Sequence, residues 1–572
     1  MADAGSHPAF FGNQPARDAQ ATQDTDETAT PTVPADLLPY LIAADDDDTP
    51  APTSSINSDE EAESLRAAAL RALVENSMLL GPDPSLLAEL DGELPEGEEW
   101  REDIEEDTAD RLHVHALNDA ATHADLVAKV NDIYRNIVAR APEHKVQPSI
   151  ARVEAVLDIL GDPQHTYPSV HITGTNGKTS TARMVDAILS AAGMKVGRFT
   201  SPHLSDVRER ISLEGEPISH QAFIAAWEDV APYISMVDQQ SAADPSGAQL
   251  SFFEVFAVMA LAAFADYPVD AAVIEVGMGG KWDATNVIGA DVAVITSISR
   301  DHEKWLGRDL ESIAQEKAGI IKPGQIVVIE KQDEAVLDIL RARAQQVDAI
   351  VRYEGVDFEV LDRTIGVGGQ MMTLRTPAAT YEDVFVPLFG AHQARNAAAA
   401  IAAAEAFLGG RKLDGKLLED AMLSVTSPGR LHVIRSSPTI VVDAAHNPGG
   451  AAALADALDE SFGFARTVGV FSAMADKDVE SILAEVEPHF DHLVVTSMDT
   501  DRAMTLDELF AIACDVFGED RVDARADLVE AIDQAVTVAE STTDPTDSAG
   551  IVVFGSVVLA GTVIDLIEAR KG

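Results

Sequence analysis

The stretch His171-Ile-Thr-Gly174-Thr-Asn-Gly177-Lys178-Thr179-Ser180 decides how the rest of the chain is read. The apolar run Val170–Thr173 predicts a strand and Lys178–Ala192 a helix, with a glycine-containing turn between them. Glycines let the backbone curl so that successive N–H groups face phosphate oxygens, and the helix N-terminus adds partial positive charge. Lys178 is placed to reach the β- and γ-phosphates of a nucleotide, and the Thr179 hydroxyl to help hold Mg2+. The strict eight-residue pattern has a glycine five positions before Gly177, where this chain has Ile172, so the loop is a shorter variant. Weighed against a chance glycine turn, strand, loop, Lys-Thr and helix together point to ATP or GTP. They do not specify a reaction.

Elements alternate on both sides of this loop. Upstream, Leu126, Val130, Ile133, Tyr134, Ile137 and Val138 recur at helical spacing, and Pro148–Leu160 predicts a second helix. Downstream come Val196–Thr200, Phe252–Ala265, Ala271–Glu275, Val292–Ser297, Leu310–Ile320 and Ile326–Ile329. Such alternation predicts a mostly parallel sheet covered by helices. Val351–Pro387, with short β-like runs and turns at Gly366–Gly369, reads as a small antiparallel excursion, and an alanine-rich helix, Ala394–Phe407, follows. After a break near Ser427-Pro428-Gly429 a second set begins, with strands at Thr439–Val442, Thr467–Phe471, His492–Thr496 and Ile551–Phe554. Helices at Gly450–Ser461, Val479–Val486, Leu506–Phe517, Leu528–Ala539 and Val557–Ala569 separate or follow them. The expected fold is α/β: a P-loop-type, mostly parallel sheet domain over 121–427, then a smaller Rossmann-like α/β domain over 428–572.

The chain's 572 residues predict more than one domain. Acidic residues outnumber basic ones 96 to 41, for a net charge of −55, and residues 1–120 alone hold 29 acidic and 5 basic residues. With the runs Asp45–Asp48 and Glu96–Asp107, that segment is expected to be a disordered acidic tail. A short helix is expected around Glu60–Leu79, and the tail reads as a dispensable extension rather than a regulatory one. So negative a surface repels nucleic acid and anionic membranes. The longest apolar runs, Val255–Ala265 and Ile551–Ile564, are too short to cross a bilayer. The lone Cys514 excludes a disulfide framework and a cysteine zinc site, and fits a cytoplasmic protein. The N-terminal stretch has no secretion-signal pattern.

Further polar residues stand at predicted strand ends. Glu275 closes Ala271–Glu275 ahead of Val276-Gly277-Met278-Gly279-Gly280, where a carboxylate faces a bound nucleotide and suits Mg2+. Asp301-His302 and Ser201-Pro202-His203 follow two other strands, so three strand ends frame a cleft; histidine is an unusual ligand for Mg2+. Lys317, in Glu316-Lys317-Ala318-Gly319, reads as a helix-surface cation. In the second half, Arg430 is placed to neutralise phosphate charge across the domain interface. Asp443-Ala-Ala-His446-Asn447-Pro448 follows the strand Thr439–Val442, and Asp443 reads equally well as a helix N-cap.

Taken together, these motifs resemble the Mur-ligase superfamily and, more narrowly, the folylpolyglutamate synthases, including the bifunctional dihydrofolate synthase/folylpolyglutamate synthases of bacteria. The resemblance rests on Thr173–Thr179, Thr200-Ser-Pro-His-Leu204, Phe252-Phe-Glu254, Glu275–Gly280 with Asp283-Ala-Thr-Asn286, Asp301-His302, Glu316–Gly319, Gly390-Ala-His-Gln393 with Asn396, Pro428-Gly-Arg430 and Asp443–Pro448. It spans roughly residues 121–572; residues 1–120 have no counterpart. It implies an ATP-dependent ligase that adds L-glutamate to tetrahydrofolate, and to dihydropteroate, through an acyl phosphate. Thr175, Asn176, Gly177, Lys178 and Thr179 would cradle ATP, with Asn396, Arg430 and Asp443 on its far side. Ser201, Glu275 and His302 would hold Mg2+, two ions in all. Lys317 would be carbamylated, Phe253, Asp283 and Ala284 would line the pterin pocket, and His446 would sit near the incoming glutamate. Folate or dihydropteroate, L-glutamate and ATP are then the partners; no heptad or long flat edge suggests more than a monomer. One departure concerns dihydropteroate: the family's glycine turn ahead of the loop is missing from Pro142–Pro148. The competing readings are a Mur-type ligase acting on a cell-wall precursor and a nucleotide-binding protein without catalysis.

Overall fold

The strand that feeds the phosphate loop, β1 (Ser169–Thr173), is buried along its whole length. It lies inside an eight-stranded sheet ordered β4-β3-β2-β5-β1-β6-β7-β8. Its neighbours are β2 (Val196–Phe199), β3 (Ile211–Leu213), β4 (Glu216–Pro217), β5 (Ala271–Glu275), β6 (Val292–Ile295), β7 (Ile326–Ile329) and β8 (Ile350–Tyr353). The computed structural model describes residues 122–140, 148–243, 247–541 and 549–571. They belong to one compact unit, Gly81–Gly572; the other unit, Met1–Leu80, lies outside them. The expected acidic disorder, the helix at Glu60–Leu79 and most of the Pro142–Pro148 departure also fall outside the described residues.

From β2 to β8 the strands run parallel, and β3 and β4 add an antiparallel edge. Because both faces are covered, the central strands are mostly apolar, yet alternate residues serve opposite cores. On β5, Ala271 and Val273 join the core that holds the helix Lys178–Ala191, while Ala272 and Ile274 join the core under the helix Phe252–Asp266. The alanine-rich helix Ala391–Phe407 packs into the first core, and its small side chains let it lie close against the phosphate-loop helix. From β1 the chain passes to β2 beyond β5, while β6 lies on the other flank. The sheet therefore reverses its winding at the loop, where α/β proteins open a ligand crevice.

Val351–Pro387 divides in two. β8 completes the main sheet, and only β9 (Glu359–Gly366), β10 (Gly369–Arg375) and β11 (Thr380–Val386) form an antiparallel sheet. β8 is an edge strand with Ile350 well exposed, so its pattern resembles that of the hairpin strands that follow. The helix expected over Pro148–Leu160 runs Ala151–Ile159.

A second sheet has the order β12-β13-β17-β14-β15-β16. It comprises β12 (His432–Ser436), β13 (Thr439–Val442), β14 (Arg466–Phe471), β15 (His492–Thr496), β16 (Val522–Arg525) and β17 (Ala549–Phe554), all parallel except β12. The protein is thus α/β, with two mostly parallel sheets in two domains. Among the described residues no helix is long and apolar enough to cross a membrane.

Candidate active site

The end of β6 pins the phosphate loop. The Ser297 carbonyl accepts from Thr175 N at 2.8 Å and Asn176 N at 3.4 Å. The Thr296 hydroxyl donates to Asn176 O at 2.6 Å, and Thr175 Oγ1 donates to Ser299 O at 2.9 Å. Gly174 lies so close to β6 that a Cβ there would fall 1.8 Å from Thr296 Oγ1. Gly177 caps the helix Lys178–Ala191 with a left-handed φ of 88°, against the Asn396 amide. The first helical amides have no acceptor within their own helix, an arrangement that suits an anion. Of the residues expected to cradle ATP, Thr175 and Asn176 thus commit their own N–H groups to Ser297.

Lys178 Nζ donates to the Gly174 and Thr175 carbonyls, each at 3.1 Å. Burial lowers its pKa, opposed by Glu275 and Asp301 and reinforced by Arg430 and Lys477; these charges share one neighbourhood. Glu275 is 1% exposed at the end of β5. Thr179 Oγ1 donates to both of its carboxylate oxygens at 3.0 Å, and Ser201 N donates at 3.3 Å. Burial raises the Glu275 pKa against the pull of Lys178. A carboxylate with two hydroxyl-bearing residues, Thr179 and Ser201, is a hard oxygen donor set that fits Mg2+. A cation there would offset the cost of burying the carboxylate. His302, with φ at 52°, sits instead 3.8 Å from Asp301 Oδ2. Burial lowers its pKa to about 4, leaving a neutral imidazole able to act as a ligand.

Lys317 is 4% exposed, so it is not the surface cation its helix position alone suggests; it is buried, as the neutral amine needed for carbamylation requires. Its Nζ donates to the Gly174 carbonyl at 2.6 Å, the same oxygen that Lys178 approaches. Burial, then the charge of Lys178, lowers its pKa to about 7. The helix end reaches the loop because Gly280 and Gly319 let backbones touch. A Cβ on Gly280 would fall 2.9 Å from Glu316 O, and one on Gly319 would fall 2.4 Å from Lys281 Cα.

The second domain closes the crevice. Asp443 accepts from Leu431 N and Ala445 N, each at 2.8 Å, tying the Arg430 loop to the end of β13. Asn447, not Asp443, caps the helix Pro448–Ser461. Arg430 Nη1 donates to Gly429 O at 3.3 Å. His446 holds Nδ1 against Ala444 O at 2.8 Å and turns Nε2 toward Asp301 at 3.5 Å. Asn396 donates to Gln393 Oε1 at 3.0 Å behind Gly177.

Of the three residues expected in the pterin pocket, Asp283 and Ala284 lie on the turn after β5, and Phe253 packs against that turn from the start of the helix Phe252–Asp266. The Phe253 ring covers Gly277, where a Cβ would fall 2.4 Å from its Cζ. Asp283 is 2% exposed and accepts from Thr285 N at 2.9 Å, Thr285 Oγ1 at 2.5 Å and Met278 N at 2.9 Å, so its carboxylate holds the turn. Ala284 opens the short helical turn Ala284–Val287 and is buried.

Sequence reasoning missed Lys477 and the role of Asp301. Lys477 follows β14 and donates to Asp301 Oδ1 at 2.7 Å, with both side chains at least nine-tenths buried. Burial alone would raise the Asp301 carboxyl. The His446 hydrogen bond and the charges of His302 and Lys477 hold it well below the usual carboxylate range. The signal for Lys477 was a lone cation amid acids, Asp476-Lys477-Asp478, just past a strand end.

Comparison with known proteins supplies the context. Residues 172–404 match the Mur ligase middle domain, and 429–557 match the Mur ligase glutamate ligase domain. The dihydrofolate synthase/folylpolyglutamate synthase of Mycobacterium tuberculosis is 47% identical over 455 residues, covering 76% of this chain and 93% of that protein. This chain belongs to the dihydrofolate synthase/folylpolyglutamate synthase family. As a family member it is an ATP-dependent ligase, which sets aside the cell-wall reading. A crystal structure of the M. tuberculosis folylpolyglutamate synthase complexed with ADP and AMPPCP superposes with a TM-score of 0.74 at 47% identity, covering 77% of this chain and 99% of that one. FolC of Escherichia coli in complex with DHPP and ADP gives a TM-score of 0.67 at 27% identity, covering 77% and 98%.

Proposed function

We propose that this folate-glutamate ligase works through an acyl phosphate in the crevice between the two sheets, with tetrahydrofolate and dihydropteroate as acceptors. The observation that carries this reading is a phosphate loop whose Thr179 bonds the buried Glu275 carboxylate and whose Asn176 bonds Asn447 of the second domain, which also bonds Asp301, the partner of Lys477. The helix N-terminus at Lys178 and Thr179 binds the transferred phosphate, and Lys178 and Arg430 offset its growing negative charge. A carboxylate oxygen of the pterin substrate attacks the γ-phosphorus and ADP leaves. The glutamate amine then attacks the acyl carbon, phosphate leaves with the former carboxylate oxygen, and the amine loses a proton to solvent, with His446 beside the incoming glutamate. The acyl phosphate hydrolyses in water, so the second domain must cover it.

Glu275, Ser201 and His302 would hold Mg2+, which supplies charge neutralisation on the phosphates when bound. A lysine with a pKa near 7 is half neutral at neutral pH, the state that reacts with CO2, which supports carbamylation of Lys317. We assign residues 1–120 to the tail, 121–427 to the ATP-binding domain and 428–572 to the glutamate-ligase domain. Ser427, bonded to Ser180 of the phosphate-loop helix at 3.0 Å, stands at the junction. We place the enzyme in the cytoplasm as a monomer acting on small molecules, apart from nucleic acid and membranes.

The test uses tetrahydrofolate whose acceptor carboxylate carries oxygen-18. One labelled oxygen should appear in the released phosphate for each glutamate added. Phosphate free of label, with glutamylated product formed, would rule out the acyl phosphate.

A further inference from the structure

Asn447 is 2% exposed, and its amide uses every hydrogen-bonding position it has. Nδ2 donates to Asn176 Oδ1 at 3.0 Å and to Asp301 Oδ2 at 3.2 Å. Oδ1 accepts from Asn176 Nδ2 at 3.1 Å and from Gly450 N at 2.8 Å. A primary amide offers two donors and two lone pairs, so none is left over. Two of the four bonds form a reciprocal amide pair with the phosphate loop. One reaches Asp301, which also receives Lys477, and one caps the helix of its own domain. A helix cap needs only an oxygen, and Ser or Asp supplies one as well as Asn. The N–H pair, aimed at two residues of the other domain, is surplus to that purpose.

We propose that Asn447 is a positioning residue that registers the second domain on the phosphate loop and thereby couples ATP cleavage to glutamate addition. It touches no reactant itself. It sets where Asn176, next to Gly177 and Lys178, lies relative to Asp301 and its neighbour His446. With that register loosened, the acyl phosphate still forms but meets water more often than amine. The inference rests on the acyl-phosphate reading above.

Two substitutions separate this role from the cap. Asn447→Ser keeps an oxygen for Gly450 N and removes both amide N–H donors, leaving a single hydroxyl too short to span Asn176 and Asp301 together. Asn447→Asp also keeps the cap, removes both donors and brings a carboxylate against Asp301. The readouts are melting temperature, KM for ATP and the ratio of ADP released to glutamate incorporated. Both variants should keep KM for ATP within about threefold. They should lose about tenfold or more in product turnover, as expected for a small misplacement remote from the reacting atoms, while the ADP-to-product ratio rises above that of wild type. The double variant Asn447→Asp/Asp301→Asn restores a donor facing an acceptor with the direction reversed, and should recover coupling relative to Asn447→Asp. Folded single variants with a wild-type ratio and wild-type turnover would overturn the proposal. So would equal losses of ADP and product with no recovery in the double variant, the mark of a purely structural role. If Asn447→Asp fails to fold, Asn447→Ser, which adds no charge, carries the test. Failure of the acyl-phosphate reading shows separately, as unlabelled phosphate from wild type in the oxygen-18 experiment.

Discussion

At the scale of single residues, Lys317 shows how packing overrides residue type. It ends a polar helix, and nothing in its spacing marks it as buried; the glycines at 280 and 319 make the approach possible. Glycine's lack of a Cβ is visible in a sequence, but which backbone it touches is not. The consequence is electrostatic. A lysine whose pKa falls from 10.5 to about 7 on folding destabilises the fold, by on the order of several kcal/mol. Because the unfolded chain binds the extra proton between those two values, the penalty is complete below about pH 7 and fades as pH rises toward 10.5. Lys317→Met should therefore fold with an equal or higher melting temperature in CO2-free buffer, with the advantage over wild type greatest at or below pH 7, yet lose turnover. Melting curves at pH 6.5 and 9.5 with matched assays check both halves. Glu275 was the opposite case: a strand-end carboxylate before a glycine turn was legible because strand ends in parallel sheets share one edge.

At the scale of elements, the phosphate loop was read correctly because strand, turn and helix each carry local signals. β13 and the helices Val479–Val486 and Leu506–Phe517 match their expected bounds. The helices His220–Ser241 and Glu334–Gln346 went unread, since polar residues cover much of each and only a narrow stripe is buried. What makes the loop rigid is non-local: β6 holds it, and Asn396 backs Gly177. Gly177→Ala would place a Cβ 2.6 Å from Asn396 Oδ1 at a φ of 88°. The strain, roughly 1–3 kcal/mol, should lower ATP affinity at least about tenfold while the second domain melts as before. Nucleotide titration and calorimetry would show it; unchanged ATP affinity would mean the loop tolerates the extra atom.

At the scale of the whole molecule, the sequence indicated two α/β domains but not how their edges meet. Asn176 with Asn447 and Asp301 with Lys477 are pairs far apart in the chain, and no spacing rule announces them. Only the three-dimensional meeting of two sheet edges makes Asp301 a junction rather than another strand-end acid. Family membership resolved the chemistry that the loop alone left open. The motifs of the ligase all fall after residue 120, so removing residues 1–115 should leave turnover within a few-fold of the full chain. Loss of kcat in a folded truncation would make the acidic segment part of the catalytic apparatus. The most direct measurement supplies the purified chain with Mg-ATP, L-glutamate and either tetrahydrofolate or dihydropteroate, and follows ADP together with product mass. Each acceptor should gain glutamate with one ADP per bond formed. ADP released without acceptor dependence, or neither acceptor gaining mass, would contradict the account.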